Sequence, residues 1–175
     1  MITLVLGGAR SGKSRYAEEL ALSRPPPRYY LATAEARDQE MAERIRVHRV
    51  RRAEAWITLE EPLDLPGILA RHAAAPDASL LVDCLTLWLS NLMGAGRDPE
   101  AATGDLLAAC EAVTGHVIFV ANEVGLGIVP ENALARAFRD HAGRLNQAVA
   151  ARAERVVFVA AGLPMVLKGL PEKSA

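Results

Sequence analysis

Short blocks of consecutive apolar residues recur along the chain, and segments with apolar residues at helical spacing lie between them. Blocks without polar alternation are typical of strands buried on both faces, as in a parallel sheet. We predict strands at 2–6, 28–33, 79–83, 116–121 and 155–160. We predict helices at about 14–23, 38–53, 64–75, 85–93, 100–114 and 134–153. This order predicts an α/β fold with a mainly parallel sheet and helices on both faces.

The length and composition describe one globular domain. The chain has 175 residues, of which 51% are hydrophobic and 23% are charged, enough for a substantial core. We assign residues 1–170 to the domain and expect the polar end, 171–175, to fray. No apolar run reaches the roughly 18 residues of a membrane span, and no signal sequence precedes the first strand. The net charge of −1 argues against a general nucleic-acid-binding protein.

Few residues outside the motifs described below have a reactive pattern. Cys84 and Cys110 show neither metal-ligand spacing nor a disulfide framework, so we expect reduced thiols in a cytoplasmic protein. The histidines outside a motif, His72, His116 and His141, are expected at exposed or core positions. Trp56 and Trp88 are expected in the core, with a pocket wall as the alternative.

Residues 7–14, GGARSGKS, follow the first strand and open the first helix. They match the P-loop pattern G-x-x-x-x-G-K-[ST] in the strand–loop–helix context that it requires. The glycines let backbone N–H groups approach phosphate oxygens at the helix N-terminus. Lys13 is placed to neutralise the terminal phosphates, and the Ser14 hydroxyl to bind Mg²⁺. A glycine turn with an incidental lysine is the other interpretation, but the context favours a single-domain, RecA-like P-loop NTPase fold.

An acidic partner for the metal is expected at the end of another strand. Asp83 ends the strand LLVD, at the carboxyl edge where ligands of parallel sheets gather. The alternative is that Asp83 caps the helix that follows it, because aspartate is a favoured N-cap residue.

The segment 44–52, RIRVHRVRR, places one histidine among five arginines. On a helix, His48 shares a face with Arg44 and Arg52, one turn away on either side, whereas Arg46 lies elsewhere. Nearby cations disfavour the imidazolium, so the ring is expected to be neutral and nucleophilic. The guanidinium groups can clamp a polyphosphate. A solvated basic helix face is the alternative, and the P-loop favours the anion site.

Five segments carry a family resemblance: GGARSGKSRYAE, ATAEARDQEMAERIRVHRVRRAEAWITLEEP, LLVDCLTLWLSNL, NEVGLGIVPENALARAFRDHAGRLNQAVA and AAGLPMVLK. In the same order, from residue 1 to about Lys168, they resemble the bifunctional adenosylcobinamide kinase/adenosylcobinamide-phosphate guanylyltransferase family. One departure is Ala53, where a proline is expected.

The resemblance implies two reactions in the assembly of the nucleotide loop of adenosylcobalamin. The first phosphorylates the aminopropanol arm of adenosylcobinamide with ATP or GTP. In the second, a histidine attacks the α-phosphate of GTP, releases pyrophosphate and passes GMP to adenosylcobinamide phosphate. The histidine of that family matches His48. A homo-oligomer, in particular a trimer with active sites near subunit contacts, is also implied.

The resemblance further implies which residues contact the nucleotide. They are Gly7, Gly8, Ala9, Arg10, Ser11, Gly12, Lys13, Ser14, Ala32, Thr33, Ala34, Arg49, Val50, Arg51, Arg52, Glu60 and Asp83. Guanine preference rests on the resemblance alone, because no Asn-Lys-x-Asp signature follows a strand. The loop 122–130, NEVGLGIVP, is either a substrate contact or a structural loop.

Two other functions fit the residues without the resemblance. One is a P-loop kinase of a small metabolite, in which His48 has no covalent role. The other is a nucleotide-dependent switch or binding module that hydrolyses slowly.

Overall fold

The computed structural model describes residues 1–34 and 55–169, and they form one mixed sheet flanked by helices. The strands are β1 (Ile2–Gly7), β2 (Arg28–Ala32), β3 (Ile57–Glu60), β4 (Ser79–Asp83), β5 (His116–Asn122), β6 (Arg155–Ala160) and β7 (Leu163–Lys168). The helices of these residues are α1 (Lys13–Leu22), α2 (Leu65–His72), α3 (Leu85–Gly94), α4 (Pro99–Glu111) and α5 (Ala133–Arg152).

The strand order is β3-β2-β4-β5-β1-β6-β7. All neighbouring strands are parallel except β6 and β7, which form an antiparallel hairpin. The carboxyl ends of the parallel strands therefore meet at one edge, called the carboxyl edge below. β1 lies inside the sheet, and β5 separates it from β4.

The core has two layers, because successive strand residues point to opposite faces of the sheet. Leu4 packs into the layer covered by α2, α3, α4 and α5, whereas Val5 packs into the layer covered by α1. Both side chains are fully buried, and each contributes on the order of 1.5–3 kcal/mol on removal from water. The prediction of a parallel sheet with helices on both faces is confirmed.

Helix starts differ in how they are capped. Asp64, Asp98 and Asn132 accept hydrogen bonds from backbone N–H groups at the starts of α2, α4 and α5, as favoured N-cap residues do. In contrast, α1 and α3 begin after Gly12 and Cys84 without a side-chain cap. Both of these uncapped starts lie at the carboxyl edge.

The five predicted strands are present with ends within a residue, and the described helices end within three residues of their predicted limits. Two strands, β3 and β7, were not predicted. The predicted helix at 38–53 and the tail at 171–175 lie outside the described residues. Trp88 is in the core, where its indole N–H donates to the Leu63 carbonyl at 2.9 Å. No helix in 1–34 or 55–169 is long and apolar enough to cross a membrane.

Candidate active site at the carboxyl edge

The P-loop connects β1 to α1 through a turn that depends on two glycines. Gly12 has φ = 96°, a backbone conformation that side chains with a Cβ rarely adopt. A Cβ on Gly7 would lie 2.5 Å from the Val159 carbonyl oxygen of the neighbouring strand β6. Gly8 differs from both, since a Cβ there would meet nothing within 4 Å. Glycine is therefore required at Gly7 by close packing and at Gly12 by the backbone conformation, whereas neither reason applies to Gly8.

The start of α1 has the properties of an anion site. It has no side-chain cap and no acidic residue in its first turn, so the positive end of the helix dipole is not offset there. Lys13, the first residue of α1, folds back to donate from Nζ to the Gly8 carbonyl at 3.3 Å. The Ser11 hydroxyl is buried without a hydrogen-bond partner among the described residues. A phosphate group would supply acceptors for this loop.

The turn between β6 and β7, at Ala161 and Gly162, packs against the P-loop. The Gly162 N–H donates to the Ser11 carbonyl at 2.8 Å, and a Cβ on Gly12 would lie 3.1 Å from the Gly162 Cα. Gly162 has φ = 79°, and Ala161 before it has φ = 51°. This turn was not among the predicted site residues. Its signal is the glycine of AAGLP directly after a predicted strand.

Asp83 ends β4, two strands away from the P-loop strand. Asp83 is the register partner of Val120 on β5, and Asn122 on β5 is the partner of Gly7. With adjacent strands about 4.8 Å apart, β4 and β1 are separated by roughly 10 Å. Asp83 Oδ2 accepts a hydrogen bond from the Tyr30 hydroxyl at 2.7 Å. The N-cap of α3 is Cys84, which makes no side-chain cap, so the alternative of a capping aspartate is wrong.

Thr33 fastens the end of β2 to the end of β4. Its hydroxyl donates to the Cys84 carbonyl and accepts from the Cys84 N–H, both at 2.8 Å. The Asn91 side-chain amide donates to the Thr33 carbonyl at 2.7 Å. Thr33 is fully buried, so its hydroxyl is committed to the backbone beside Asp83.

The remaining predicted contacts fall into two groups. Ala32 is the register partner of both Asp83 and Glu60, so these three residues lie side by side at the carboxyl edge. The half-buried Ala34 lies two residues after Ala32. His48 and the segment Arg49, Val50, Arg51 and Arg52 lie outside the described residues.

The two cysteines, His116 and His72 have surroundings that do not favour a role as nucleophile at this edge. Both thiols are free, as predicted, and both are buried. Burial raises the pKa of Cys84 and of Cys110 to about 11. His116 is buried at the opposite edge, where its Nε2 lies 3.1 Å from the Thr3 hydroxyl. The His72 ring packs on Tyr29 with centroids 4.7 Å apart. Among 1–34 and 55–169, no three His, Cys, Asp or Glu side chains cluster as metal ligands.

A glycine-rich phosphate loop after an interior parallel strand, with an aspartate two strands away, defines a RecA-like P-loop NTPase fold. The flagellar accessory protein FlaH from Methanocaldococcus jannaschii has this fold, with a TM-score of 0.58 and 14% identity over 96% of this chain and 78% of that chain. A family model, described as cobinamide kinase / cobinamide phosphate guanyltransferase, matches residues 3–167. The chain belongs to this family and is a transferase.

Relatives span nearly the full length. The chain is 52% identical to the bifunctional adenosylcobalamin biosynthesis protein CobP of Pseudomonas aeruginosa, over 98% of this chain and 99% of that protein. It is 43% identical to the bifunctional adenosylcobalamin biosynthesis protein CobU of Salmonella typhimurium, over 96% of this chain and 100% of that protein. The resemblance proposed from the sequence is confirmed.

Proposed function

We propose that this protein phosphorylates adenosylcobinamide with ATP or GTP and then transfers GMP from GTP to the product. The observation that carries the proposal is the family match over residues 3–167, which spans the P-loop, Asp83 and His48. The two substrates of the second step would be GTP and adenosylcobinamide phosphate. The products would be adenosylcobinamide-GDP and pyrophosphate.

The kinase step would use the phosphate cradle at Gly7–Ser14. The hydroxyl oxygen of the acceptor arm attacks the terminal phosphorus of the donor, the bond to the bridging oxygen breaks, and the hydroxyl proton is released. Charge accumulates on the phosphate oxygens during such a transfer. The N–H groups of the loop and the Lys13 ammonium group are suited to stabilise that charge.

We infer that Mg²⁺ is required and that Ser14 and Asp83 hold it, directly or through water. A hydroxyl and a carboxylate are oxygen ligands of the kind Mg²⁺ prefers, and Mg²⁺ keeps several waters, so two protein oxygens suffice. The bond from Tyr30 to Oδ2 orients the Asp83 carboxylate. When bound, the metal would neutralise charge on the transferred phosphate.

The guanylyl step would use His48 as a covalent carrier. A neutral ring nitrogen attacks the α-phosphorus of GTP, the P–N bond forms and pyrophosphate leaves. A phosphate oxygen of adenosylcobinamide phosphate then attacks the same phosphorus, and the P–N bond breaks to return the histidine. The adjacent arginines would stabilise the phosphate charge in both steps.

The other nucleotide contacts are proposed from the family resemblance, and Ala32, Thr33 and Ala34 lie at the end of β2. Thr33 is fully buried, and its hydroxyl, N–H and carbonyl bond to Cys84, Asp83 and Asn91. We therefore propose that Thr33 acts by holding the end of β2 beside Asp83. Glu60 ends the adjacent strand and is exposed, and it is proposed as a nucleotide contact from the same resemblance. Arg49, Val50, Arg51 and Arg52 are proposed from the family resemblance.

A homo-oligomer, in particular a trimer, is proposed from the same resemblance. The hairpin strand β7 supports self-association, because all six of its residues are exposed. Leu163, Met165 and Leu167 alternate along it and are 69%, 50% and 61% exposed, which gives one apolar stripe. We also propose a cytoplasmic location, which two free thiols and nucleotide substrates fit.

The proposal is tested with GTP labelled at the α-phosphate, followed by denaturing electrophoresis. Label retained on the protein, and transferred to adenosylcobinamide phosphate when it is added, is the expected result. A protein that phosphorylates a small metabolite without ever retaining label would be a simple kinase. Slow hydrolysis with neither product would indicate the nucleotide switch.

A further inference from the structure

A cleft of about 620 Å³ opens between α3, α5 and the loop that joins β5 to α5. Its apolar wall combines side chains from all three parts: Met93 on α3, Val124 and Pro130 on the loop, and Leu134 and Phe138 on α5. The volume is within the range of roughly 300–1,000 Å³ that small-molecule sites occupy. None of these residues belongs to the phosphate cradle or to the predicted nucleotide contacts.

The cleft reaches the neighbourhood of the P-loop through β5. Asn122, the last residue of β5, is the register partner of Gly7, and the Glu123 N–H donates to the Gly7 carbonyl at 3.1 Å. Val124 follows directly, with its Cα about 3.8 Å further on. An occupant that passes Val124 therefore comes within roughly 10 Å of Gly7. The first transfer needs an acceptor hydroxyl close to the cradle, so the cleft lies where an acceptor is required.

The loop along the cleft presents more apolar surface than a structural connection needs. Leu126 and Ile128 are 83% and 97% exposed, and Leu134 at the start of α5 is 67% exposed. Several exposed apolar side chains beside a cleft are typical of a binding surface. This loop is the segment NEVGLGIVP, for which the sequence left substrate contact and a structural role open.

The lining also holds a few polar groups, which come from Ser90, Asn132 and Arg139. The Arg139 guanidinium already donates to the Asp140 carboxylate at 3.1 Å, and Asn132 Oδ1 accepts from the Ala135 N–H at 3.1 Å. An apolar cleft with few polar groups suits a ligand that combines a broad apolar ring with amide groups at its edge. A corrinoid has that composition.

We propose that this cleft binds the corrinoid acceptor, with the edge of the macrocycle against Leu134 and Phe138 and the arm directed past Val124 to the P-loop. The inference rests on the proposed function, because it assigns the second substrate of the same site. The acceptor is larger than the cleft, so the exposed loop covers part of what remains outside.

The test is to fill the cleft and compare the two substrates. Ala135 is a half-buried residue of the lining on the first turn of α5, and Ala135→Trp adds an indole without removing any contact. We expect the KM for cobinamide to rise at least tenfold. The KM for ATP, and the labelling of the protein by α-phosphate-labelled GTP without corrinoid, should stay within twofold of wild type.

Ala151→Trp is the matched control. Ala151 is exposed on the same helix, sixteen residues further along and so about 24 Å away, and this variant should keep the wild-type KM for cobinamide. Leu134→Ser provides a second variant that is expected to fold, because Leu134 is largely exposed. It should raise the KM for cobinamide severalfold by removing apolar contact.

Several outcomes would overturn the inference. A wild-type KM for cobinamide in both cleft variants would place the acceptor elsewhere. A raised KM for ATP with lost labelling by GTP would assign the cleft to the nucleobase, and a changed sedimentation coefficient would assign it to a second copy of the chain. If the wild-type protein neither phosphorylates cobinamide nor retains label, the proposed function itself fails and the inference falls with it.

Discussion

The Tyr30 hydroxyl donates a hydrogen bond of 2.7 Å to Asp83 Oδ2, across the neighbouring strands β2 and β4. Tyr30 is 4% exposed, and its ring is nearly perpendicular to that of Trp56, with centroids 5.9 Å apart. A buried phenol thus fixes one oxygen of a carboxylate at the carboxyl edge. This bond gives Asp83 one orientation before any ligand arrives.

Tyr30→Phe should weaken the use of Mg²⁺ more than it weakens the fold. Phenylalanine keeps the ring packed in the core, and the substitution removes the hydrogen bond to Asp83. A hydrogen bond to a charged group contributes on the order of 1.5–3 kcal/mol. We expect the Mg²⁺ concentration for half-maximal kinase activity to rise severalfold, with a smaller loss at saturating Mg²⁺. Activity measured across a Mg²⁺ titration checks this.

Tyr29→Phe is the control for that variant. Tyr29 is the preceding residue of β2, and its ring packs on His72 rather than on Asp83. It should keep the wild-type Mg²⁺ dependence. If Tyr30→Phe and Tyr29→Phe behaved alike, the bond to Asp83 would have no part in metal use.

The first two glycines of the P-loop should respond differently to alanine. Gly7→Ala places a Cβ 2.5 Å from the Val159 carbonyl oxygen, whereas Gly8→Ala meets nothing within 4 Å. Overpacking of this kind costs about 1–3 kcal/mol, or roughly 2–10 °C in Tm for a chain of this length. Thermal unfolding should show that loss in Gly7→Ala and a Tm near wild type in Gly8→Ala. An equal loss in both variants would contradict the packing argument.

The sequence predicted the strands that are buried on both faces and missed the two at the edges of the sheet. β3 has four residues and is partly exposed, so its run ITLE is short and mixed. β7 is exposed at every position and contains a proline, so it lacks the burial pattern on which strand prediction depends. Its strand structure comes from antiparallel pairing with β6, a tertiary contact that local sequence does not encode.

For the candidate site, the sequence proposed the functional groups but not the residues that hold them in place. Lys13 and Asp83 could be proposed because a motif and a strand end have local signatures. Tyr30 and Gly162 were missed, because their partners Asp83 and Ser11 are 53 and 151 residues away in the chain. Thr33 was expected as a nucleotide contact, and the structure shows that its hydroxyl is bound to Cys84. Its N–H and carbonyl are bonded to Asp83 and Asn91, and its place among the nucleotide contacts stays a prediction.

Stability should fall from pH 7 to pH 5, in part because of one buried histidine. Burial, followed by the positive charges of Arg24, the amino terminus and Arg155, lowers the pKa of His116 from 6.5 to about 3. Below pH 6.5 the unfolded state therefore binds a proton that the folded state does not. The stabilisation is fully present above pH 6.5 and is lost as the pH falls towards 3.

The titration of His116 is expected to lower the free energy of unfolding by up to about 2 kcal/mol between pH 7 and pH 5. Urea unfolding of His116→Gln should show a smaller loss of the free energy of unfolding over this range. Identical slopes in His116→Gln and wild type would show that His116 does not titrate as described.

Lys13→Ala should abolish or severely weaken both transfers, because both would use one phosphate cradle. Loss of a charge clamp typically costs a factor of about 10²–10³ in kcat. Both rates are measured with ATP as kinase donor and with α-phosphate-labelled GTP. Lys168→Ala is the control, since Lys168 donates to the end of α5 at Ala150 and Ala151. A Lys13→Ala variant with full rates would exclude the P-loop from catalysis.

His48→Asn should separate the two transfers. The kinase step needs the cradle, the metal and a positioned hydroxyl, and it has no evident need for a covalent histidine. The guanylyl step needs a nucleophile that can leave again, and a protonated phosphoramidate nitrogen is a good leaving group. We therefore expect the variant to lose the labelled adduct while it still phosphorylates adenosylcobinamide at a measurable rate. In the wild type, the adduct should survive alkali and break down in acid, as a P–N bond does.

The neighbouring arginines sharpen this prediction. On the predicted helix, Arg44 and Arg52 share a face with His48 and Arg46 does not. Alanine at Arg44 or Arg52 should therefore slow adduct formation more than alanine at Arg46. Label retained by His48→Asn would move the nucleophile to another residue. Equal loss of both transfers in a folded His48→Asn would mean that His48 serves nucleotide binding in general, because a covalent carrier is needed in the second transfer alone.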